Sequence, residues 1–442
     1  MNKVDILNLE WTSYPSRDRN TATIVCNYLQ FVGLKVAEHS VFRGFEMIDK
    51  LHPKILFITN GIGATINFEL VKFASLKGIK VVTLTSEGNF FDSEKDLPSF
   101  LWGWNLDHLL YEDINMQWSD RTRNITLNVY PEFKDKIKIS GAVGFDYYKI
   151  HPCTDKKEFL KKHKKESFTQ VIGIGCWIFD LATFNSDFFS YFNEFDTIRF
   201  SEDRDSFNAI ILNIIEKNPD KLFLLKEHPG SDGLHISAIE GTEKYSNVLI
   251  LKKEPIADCI AASDFWLTYE STTVIEAWLL GKQTCLLNPS GTDFPRANVH
   301  FGSPNYPDAE SLQNAINFFY EKGELPDFSE LEDERKKVIK DTIQWDDGLN
   351  HVRAGNEIIR VLNEDKKKSN GNISFDLTKK KWKQYLLSRG IPKKKNNFIY
   401  DQVKAFDYDA LHKQNQLIYD RQIKFYEANH LSLHDLRNIT AE

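Results

Sequence analysis

The sequence predicts an α/β protein built from two successive parallel-sheet units, and three observations carry that prediction. Short apolar strands alternate with amphipathic helices through residues 4–363. A charged, poorly apolar stretch at 151–168 (HPCTDKKEFLKKHKKESF) divides that rhythm into two runs. At 442 residues, the chain also exceeds what one hydrophobic core ordinarily supports. Repeated strand–loop–helix–strand units lay helices on both faces of a parallel sheet.

The first run opens with the strand VDILNL at 4–9, a polar loop and a helix over 21–32 that Gly33 closes. LKVAEHSV and KILFIT are the next strands, the second ending at Asn60-Gly61. A helix over 68–77 stops at Gly78, the strand IKVVTLT follows, and after a Trp-rich segment a helix is expected around 106–116. KIKIS before Gly141 completes this unit. The second run starts at TQVIGIG (169–175) and continues through a helix at 204–217 and the strands in KLFLLKEHPG, VLILKK, DFWLTY and QTCLLN. Helices fall over PIADCIAAS and 273–280, and near 309–322 and 349–363, the last two completing the domain. The expected domains are therefore a Rossmann-like unit at 1–150, a linker at 151–168, a second Rossmann-like unit at 169–364 and a lysine-rich helical appendage at 365–442.

Composition narrows the function classes. A net charge of −7 argues against a nucleic-acid partner, which calls for a domain-wide basic excess. Lysines nevertheless cluster at Lys366–Lys368, Lys379–Lys381 and Lys393–Lys395, a tract suited to peripheral contact with an anionic membrane. Five scattered cysteines with no CxxC pair suggest neither a zinc site nor a disulfide framework, as in a reducing cytoplasm. The start of the chain is too polar for a signal peptide, and no apolar run approaches the ~20 residues of a membrane span. A cytoplasmic protein is expected, held at the inner face of the inner membrane by its basic tail.

In open parallel sheets, ligands bind beyond the carboxyl ends of strands, so the loops there weigh most. Lys226-Glu227-His228-Pro229 follows the strand KLFLL, and its cationic and imidazole donors suit a phosphate. Tyr269-Glu270-Ser271-Thr272-Thr273 follows DFWLT and opens a helix with Glu276 one turn in. Such hydroxyls cap the helix and also suit a phosphate, and Glu276 could reach ribose hydroxyls. In the first unit, Glu87 beside Gly88 and Asn89 is a candidate general base or nucleophile. Arg17, Asp18 and Arg19 after the first strand are candidate acceptor or sugar contacts, as are Asn60, Gly61, Gly88, Asn89 and Gly141; helix capping with solvated charges is the rival account of 16–21. Gly61-Ile62-Gly63 and Gly173-Ile174-Gly175 do not complete GxGxxG, and no convincing DxD pair follows a strand, so no obligatory metal or dinucleotide is expected.

The ordered set SRDRN, SEGN, WGW, ISGAVGFD, KEHPG, YESTT and VIEA resembles the bacterial surface-carbohydrate and capsule-polysaccharide biosynthesis glycosyltransferases of GT-B fold. Its histidine–proline and Ser/Thr motifs are also similar to those of sialyl- and Kdo-transferases. Ser86 stands where the family's Asp/Glu-Glu-Gly motif carries its first acid. The resemblance implies two lobes facing across a cleft, an acceptor domain at 1–150 and a nucleotide-sugar domain at 169–364, with the late helix at 349–363 crossing back to the first lobe. It further implies a nucleotide-sugar donor, CMP-linked in preference to UDP-linked, and a glycan or lipid-linked acceptor. By analogy, His228 and Ser271 to Thr273 hold the donor phosphate, Glu276 holds the ribose, and Glu87 is the catalytic carboxylate. A UDP-sugar 2-epimerase or a glycerophosphate transferase shares the fold, and a non-catalytic glycan-binding scaffold is a third possibility.

Overall fold

The computed structural model describes residues 4–86, 88, 97–177, 179, 194–228, 239–291, 298–365 and 397–440. The chain forms two compact units, Met1–His151 with Lys340–Glu442, and Pro152–Ile339. The first unit thus takes back residues 340–364, which the sequence placed in the second. The expected linker in turn carries a helix of the second unit.

The first unit contains a six-stranded sheet in the order β2-β1-β3-β4-β5-β6, with every pairing parallel. Its strands are β1 (Ile6–Glu10), β2 (Val36–Ser40), β3 (Ile55–Thr59), β4 (Lys80–Leu84), β5 (Ile114–Gln117) and β6 (Ile137–Ile139). Helices α1 (Arg17–Phe31), α2 (Gly44–Leu51), α3 (Thr65–Leu76), α4 (Leu97–Leu101), α5 (Asp120–Val129) and α6 (Tyr147–Ile150) interleave with them. Side chains alternate across the sheet. Phe57, Val82 and Met116 pack with Ile24 and Val25 of α1, and Leu56, Ile58 and Val81 pack with Leu70 and Val71 of α3 on the other face.

The helix expected around 106–116 is instead a turn leading into β5. Leu106, Leu109 and Leu110 imitate helical spacing, but Leu106 and Leu109 are exposed and carry no packing face. Ile114 and Met116 alternate onto the buried face, and the Asp113 carboxylate accepts from the N–H of Val81, fixing β5 beside β4.

The second unit begins with α7 (Lys156–Lys162), whose Phe159 and Leu160 are buried against Val171, Leu222 and Leu224. Its sheet runs β11-β10-β7-β8-β9, again all parallel. The strands are β7 (Val171–Gly175), β8 (Leu222–Lys226), β9 (Val248–Leu251), β10 (Phe265–Thr268) and β11 (Gln283–Leu286). The helices are α8 (Glu194–Lys217), α9 (Ile256–Ala262), α10 (Thr273–Leu279) and α11 (Ala309–Lys322), before α12 (Glu332–Ile343) leads the chain back to the first unit. Phe207, Ile211, Ile214 and Ile215 of α8 cover one face, with Leu312, Ala315 and Ile316 of α11.

The late part of the chain is integral to the first unit. Helix α13 (Asn350–Asn363) places Ile358 and Val361 in the same core as α1. Gly355 permits that approach, since a Cβ there would overlap the Tyr28 ring. Beyond α14 (Asn397–Ala405), helix α15 (Tyr408–Ala428) inserts Ile418 into this core, and α16 (Leu433–Arg437) buries Leu436 beside Tyr28 and Val352. The contacts are also polar: Asn27 donates to Gln422 at 2.9 Å, and Gln422 to the carbonyl of Ile24 at 2.9 Å. Asp146 accepts from the N–H of His351 at 2.6 Å and lies 2.8 Å from its Nδ1, while His351 Nε2 is 2.5 Å from the Tyr426 hydroxyl. This region is therefore more than an appendage. The lysine clusters at 366–368, 379–381 and 393–395 lie outside the described residues. No helix among the described residues is long and apolar enough to cross a membrane.

A buried polar knot closes the end of β1. Arg19, fully buried, donates to Glu38 at 2.7 Å and to the carbonyl of Thr12 at 2.9 Å. Glu10 accepts from the Thr59 hydroxyl at 2.7 Å and the Thr59 N–H at 3.2 Å. Burial pushes the Glu10 carboxyl from its ordinary 4.5 up to about 8, against the opposing Arg19 charge.

Two outcomes follow from this packing. Ile418→Ala should destabilise the first unit by about 2–4 kcal/mol, read from urea unfolding, whereas a detachable tail would leave the midpoint unchanged. The folded chain keeps the Glu10 proton where the unfolded chain has lost it. The stability this group contributes is thus complete below pH 4.5 and is lost as pH rises through about 8. Melting temperatures of Glu10→Gln across that range should fall less steeply than those of the parent chain, and parallel curves would rule this out.

Candidate functional site

The second sheet brings the two strongest sequence motifs to one edge. β8 and β10 both pair with β7, and Gly175 is in register with Lys226 on one side and Thr268 on the other. Adjacent strands are separated by about 4.8 Å, so the ends of β8 and β10 lie roughly 10 Å apart. His228 is two residues past one end and Ser271 three past the other. The chain order also reverses between β7 and β10, the position in an open parallel sheet where loops diverge and leave a crevice.

Each side chain at that edge has a definite setting. The Lys226 ammonium donates to the carbonyls of Lys252 at 2.8 Å and Glu227 at 3.0 Å, so it braces the histidine turn from within. His228 is exposed, and Pro229 lies outside the described residues. Ser271 accepts from the N–H of Thr273 at 3.3 Å, and Thr273 accepts from the Trp266 indole at 3.0 Å, while Thr272 is exposed. Glu276 sits half-buried in the first turn of α10. The GIG run has a packing role: a Cβ at Gly173 would strike Ser263 and Trp266, and one at Gly175 would crowd Thr273 and Trp266.

Tyr269 is set deeper than its neighbours. Its ring is buried among Trp177, Phe179, Phe200 and Phe207. Its hydroxyl donates to the Asp203 carboxylate, and burial holds the phenol well above its ordinary pKa, so it remains a donor. Asp203 also accepts from Ser290 at 2.5 Å, and Asn288 donates to Glu270 at 2.8 Å. The loops after β10 and β11 are thereby tied together. Sequence reasoning missed Asp203, Asn288 and Ser290; Asp203 lies 66 residues before Tyr269 on a helix, and no local spacing announces the pairing.

In the first unit, Ser16 caps α1 by accepting from the N–H of Arg19 at 3.1 Å. Arg17 is exposed and Asp18 half-buried at this helix start, whereas Arg19 points inward to the polar knot. Glu87 and Asn89 lie outside the described residues. Gly88 between them sits against Trp118, where a Cβ would come within 3.1 Å of the indole. Asn60 adopts a left-handed φ of 52° after β3, and its carbonyl accepts from Asn67 at 3.1 Å. Asn60 and Gly61 line a cavity together with Thr83, Thr85, Phe100, Glu112 and Asn115; Thr85 opens the segment that carries Glu87, and Thr83, Phe100, Glu112 and Asn115 were not singled out from the sequence. Gly141, at a φ of 76°, leaves no room for a Cβ beside Asn350.

No family model matches the chain. Two curated relatives are similar over short stretches. The chain is 39% identical over 104 residues to vacuolar protein sorting/targeting protein 10 of Debaryomyces hansenii, covering 20% of this chain and 6% of that protein. It is 28% identical over 130 residues to protein FixF of Sinorhizobium fredii, covering 27% and 32% respectively. Solved structures match over far more of the chain. A protein described as a UDP-N-acetylglucosamine 2-epimerase of Listeria monocytogenes aligns with a TM-score of 0.55 at 12% identity, over 84% of this chain and all of that one. The MnaA–UDP complex of S. aureus aligns at 0.52 and 12%, with the same coverage. The UDP-GlcNAc 2-epimerase of Neisseria meningitidis bound to UDP-GlcNAc aligns at 0.50 and 13%, over 81% of this chain and all of that one. At such identity the likeness is one of fold: this chain shares the GT-B-type architecture of two Rossmann-like parallel sheets.

Proposed function

We propose that the chain is a nucleotide-sugar-dependent glycosyltransferase that moves a sugar onto a growing surface glycan. The observation that carries this proposal is the edge of the second sheet, where pairing of β8 and β10 with β7 brings the His228 turn and the Ser271–Thr273 hydroxyls together. His228 donates to the donor phosphate, Thr272 offers its exposed hydroxyl to the same group, Lys226 holds the turn in place, and Glu276 meets the ribose. Glu87 takes the proton from an acceptor hydroxyl. The freed oxygen bonds to the anomeric carbon, the bond from that carbon to phosphate oxygen breaks, and the nucleotide departs with its added charge stabilised by His228.

The solved structures bear on the donor. UDP or UDP-GlcNAc is named in two of the similar structures, which supports a uridine-linked donor over the CMP-linked sugar implied by the motif resemblance. They also favour a second reading on the same fold, a UDP-sugar 2-epimerase, because the neighbours with the higher TM-scores carry that description. Incubation with UDP-GlcNAc alone separates the two. An epimerase converts it to the 2-epimer without acceptor, and a transferase releases UDP only when a glycan acceptor is present.

In a thermal-shift panel of UDP, CMP and NAD, UDP should stabilise the chain most, by ~2.7 kcal/mol at a hundred times its Kd. His228→Ala and Thr272→Val should each weaken UDP about tenfold or more, as expected for loss of a hydrogen bond to a charged group. A preference for NAD, or wild-type affinity in both variants, would overturn the nucleotide site. Glu87→Gln should cut transfer by about 10²–10⁴-fold while leaving UDP binding unchanged, which a turnover assay beside the same thermal shift would test.

A further inference from the structure

The first unit holds a cavity of about 170 Å³ at β4, between the turn after β3 and the segment that follows α4. One water occupies about 10–15 Å³ of such space, so the cavity takes roughly ten waters or more, or a single monosaccharide-sized group. Its wall is unusual for the middle of a parallel sheet, where a crossover helix ordinarily supplies an apolar cover. Here Thr83 and Asn115 are paired strand neighbours facing the same side, and Asn115 donates to the Thr83 hydroxyl at 3.2 Å. Thr85 and Asn60 add further polar groups, and Phe100 adds an aromatic surface.

Glu112 makes this wall specific. Its side chain lines the cavity although the residue is only 2% exposed. Burial raises its carboxyl above the ordinary value, opposed by its own backbone, the Lys136 charge and a hydrogen bond from Thr83. A buried carboxyl is costly unless it is hydrogen-bonded, and among the described lining residues this one has amides and hydroxyls beside it and no cation.

We propose that this cavity binds the ring of a neutral, hydroxyl-rich saccharide, the acceptor of the transfer proposed above, with Glu112 holding a ring hydroxyl. A sugar hydroxyl both donates and accepts, which suits a wall of amides and hydroxyls from Asn60, Asn115, Thr83 and Thr85. Phe100 meets the C–H face of the ring. A sugar acid or phosphate would bring negative charge against Glu112, the one ionisable group among the described lining residues. The acceptor is therefore neutral at the ring that enters this cavity. The inference rests on the glycosyl-transfer reading for the word acceptor, and on the cavity alone for the saccharide.

Saturation-transfer NMR on the full chain, with and without UDP, tests it using methyl glucoside, methyl galactoside and methyl N-acetylglucosaminide against methyl glucuronide and sialic acid. The neutral glycosides should show transfer and the two acids should not. Gly61→Val should abolish the neutral signal, because a Cβ at Gly61 would lie 2.7 Å from the Thr83 methyl. Glu112→Gln should keep the neutral signal and raise the glucuronide signal relative to it, the result that a merely structural Glu112 would not produce. Each variant is checked for an unchanged UDP thermal shift, and Thr83→Val replaces any that fails to melt cooperatively. Equal transfer to acids and neutral sugars in the parent chain, or a neutral signal that survives Gly61→Val, would overturn the proposal. A UDP shift with no glycoside signal overturns the cavity's role and leaves the nucleotide site standing. A glycoside signal without any nucleotide shift keeps the cavity and overturns the transfer reading.

Discussion

Parallel pairing of one strand with two neighbours is the constraint on which the candidate site depends. Strands β8 and β10 flank β7 in register at Gly175, so both must end on the same edge of the sheet. Loops more than forty residues apart in sequence are thereby made neighbours. The two glycines of β7 serve this arrangement by giving way to Trp266, whose indole in turn holds Thr273. This sheet edge is thus assembled by backbone geometry first and trimmed by side chains second.

Behind that edge lies a layer of buried polar groups that fixes loop position. Asp203 draws together Tyr269 and Ser290, and Asn288 reaches Glu270. In a low-dielectric setting such bonds hold their members firmly, because an unmatched partner would bear the full desolvation cost. Lys226 belongs to the same layer. A lysine whose ammonium is held by two carbonyls acts by shaping the turn that presents His228.

The first unit is closed by chain from its far end. Helices α13, α15 and α16 complete a core that β1 and α1 leave open, through Ile358, Ile418 and Leu436 and through the linked set Asp146, His351 and Tyr426. Its polar interior takes two forms. Around Glu10, Arg19 and Glu38, the Arg19–Glu38 ion pair and the Glu10–Thr59 hydrogen bonds stay closed off from solvent. Around Glu112, amides and hydroxyls face empty volume instead. That difference separates a structural knot from a surface able to receive a ligand.

Much of this was legible in the sequence, because strand alternation and helix periodicity are local: the two parallel sheets and the strand-end position of KEHPG and YESTT follow from short-range pattern, whereas the return of the late helix was implied only by the family resemblance. Where local pattern imitated something else, it misled. Leu106, Leu109 and Leu110 have helical spacing but no surface to bury against, so backbone pairing at Asp113 and Val81 claimed the segment for a turn and a strand. The polar face of α15 suggested a solvated tail because its partners Thr23 and Asn27 lie nearly four hundred residues away. Arg19 beside Arg17 gave no sign of which would turn inward, since that depends on Glu38 across the neighbouring strand. The cavity at Glu112 could arise only from tertiary structure: an empty volume belongs to no residue, and exists only where several elements stop short of one another.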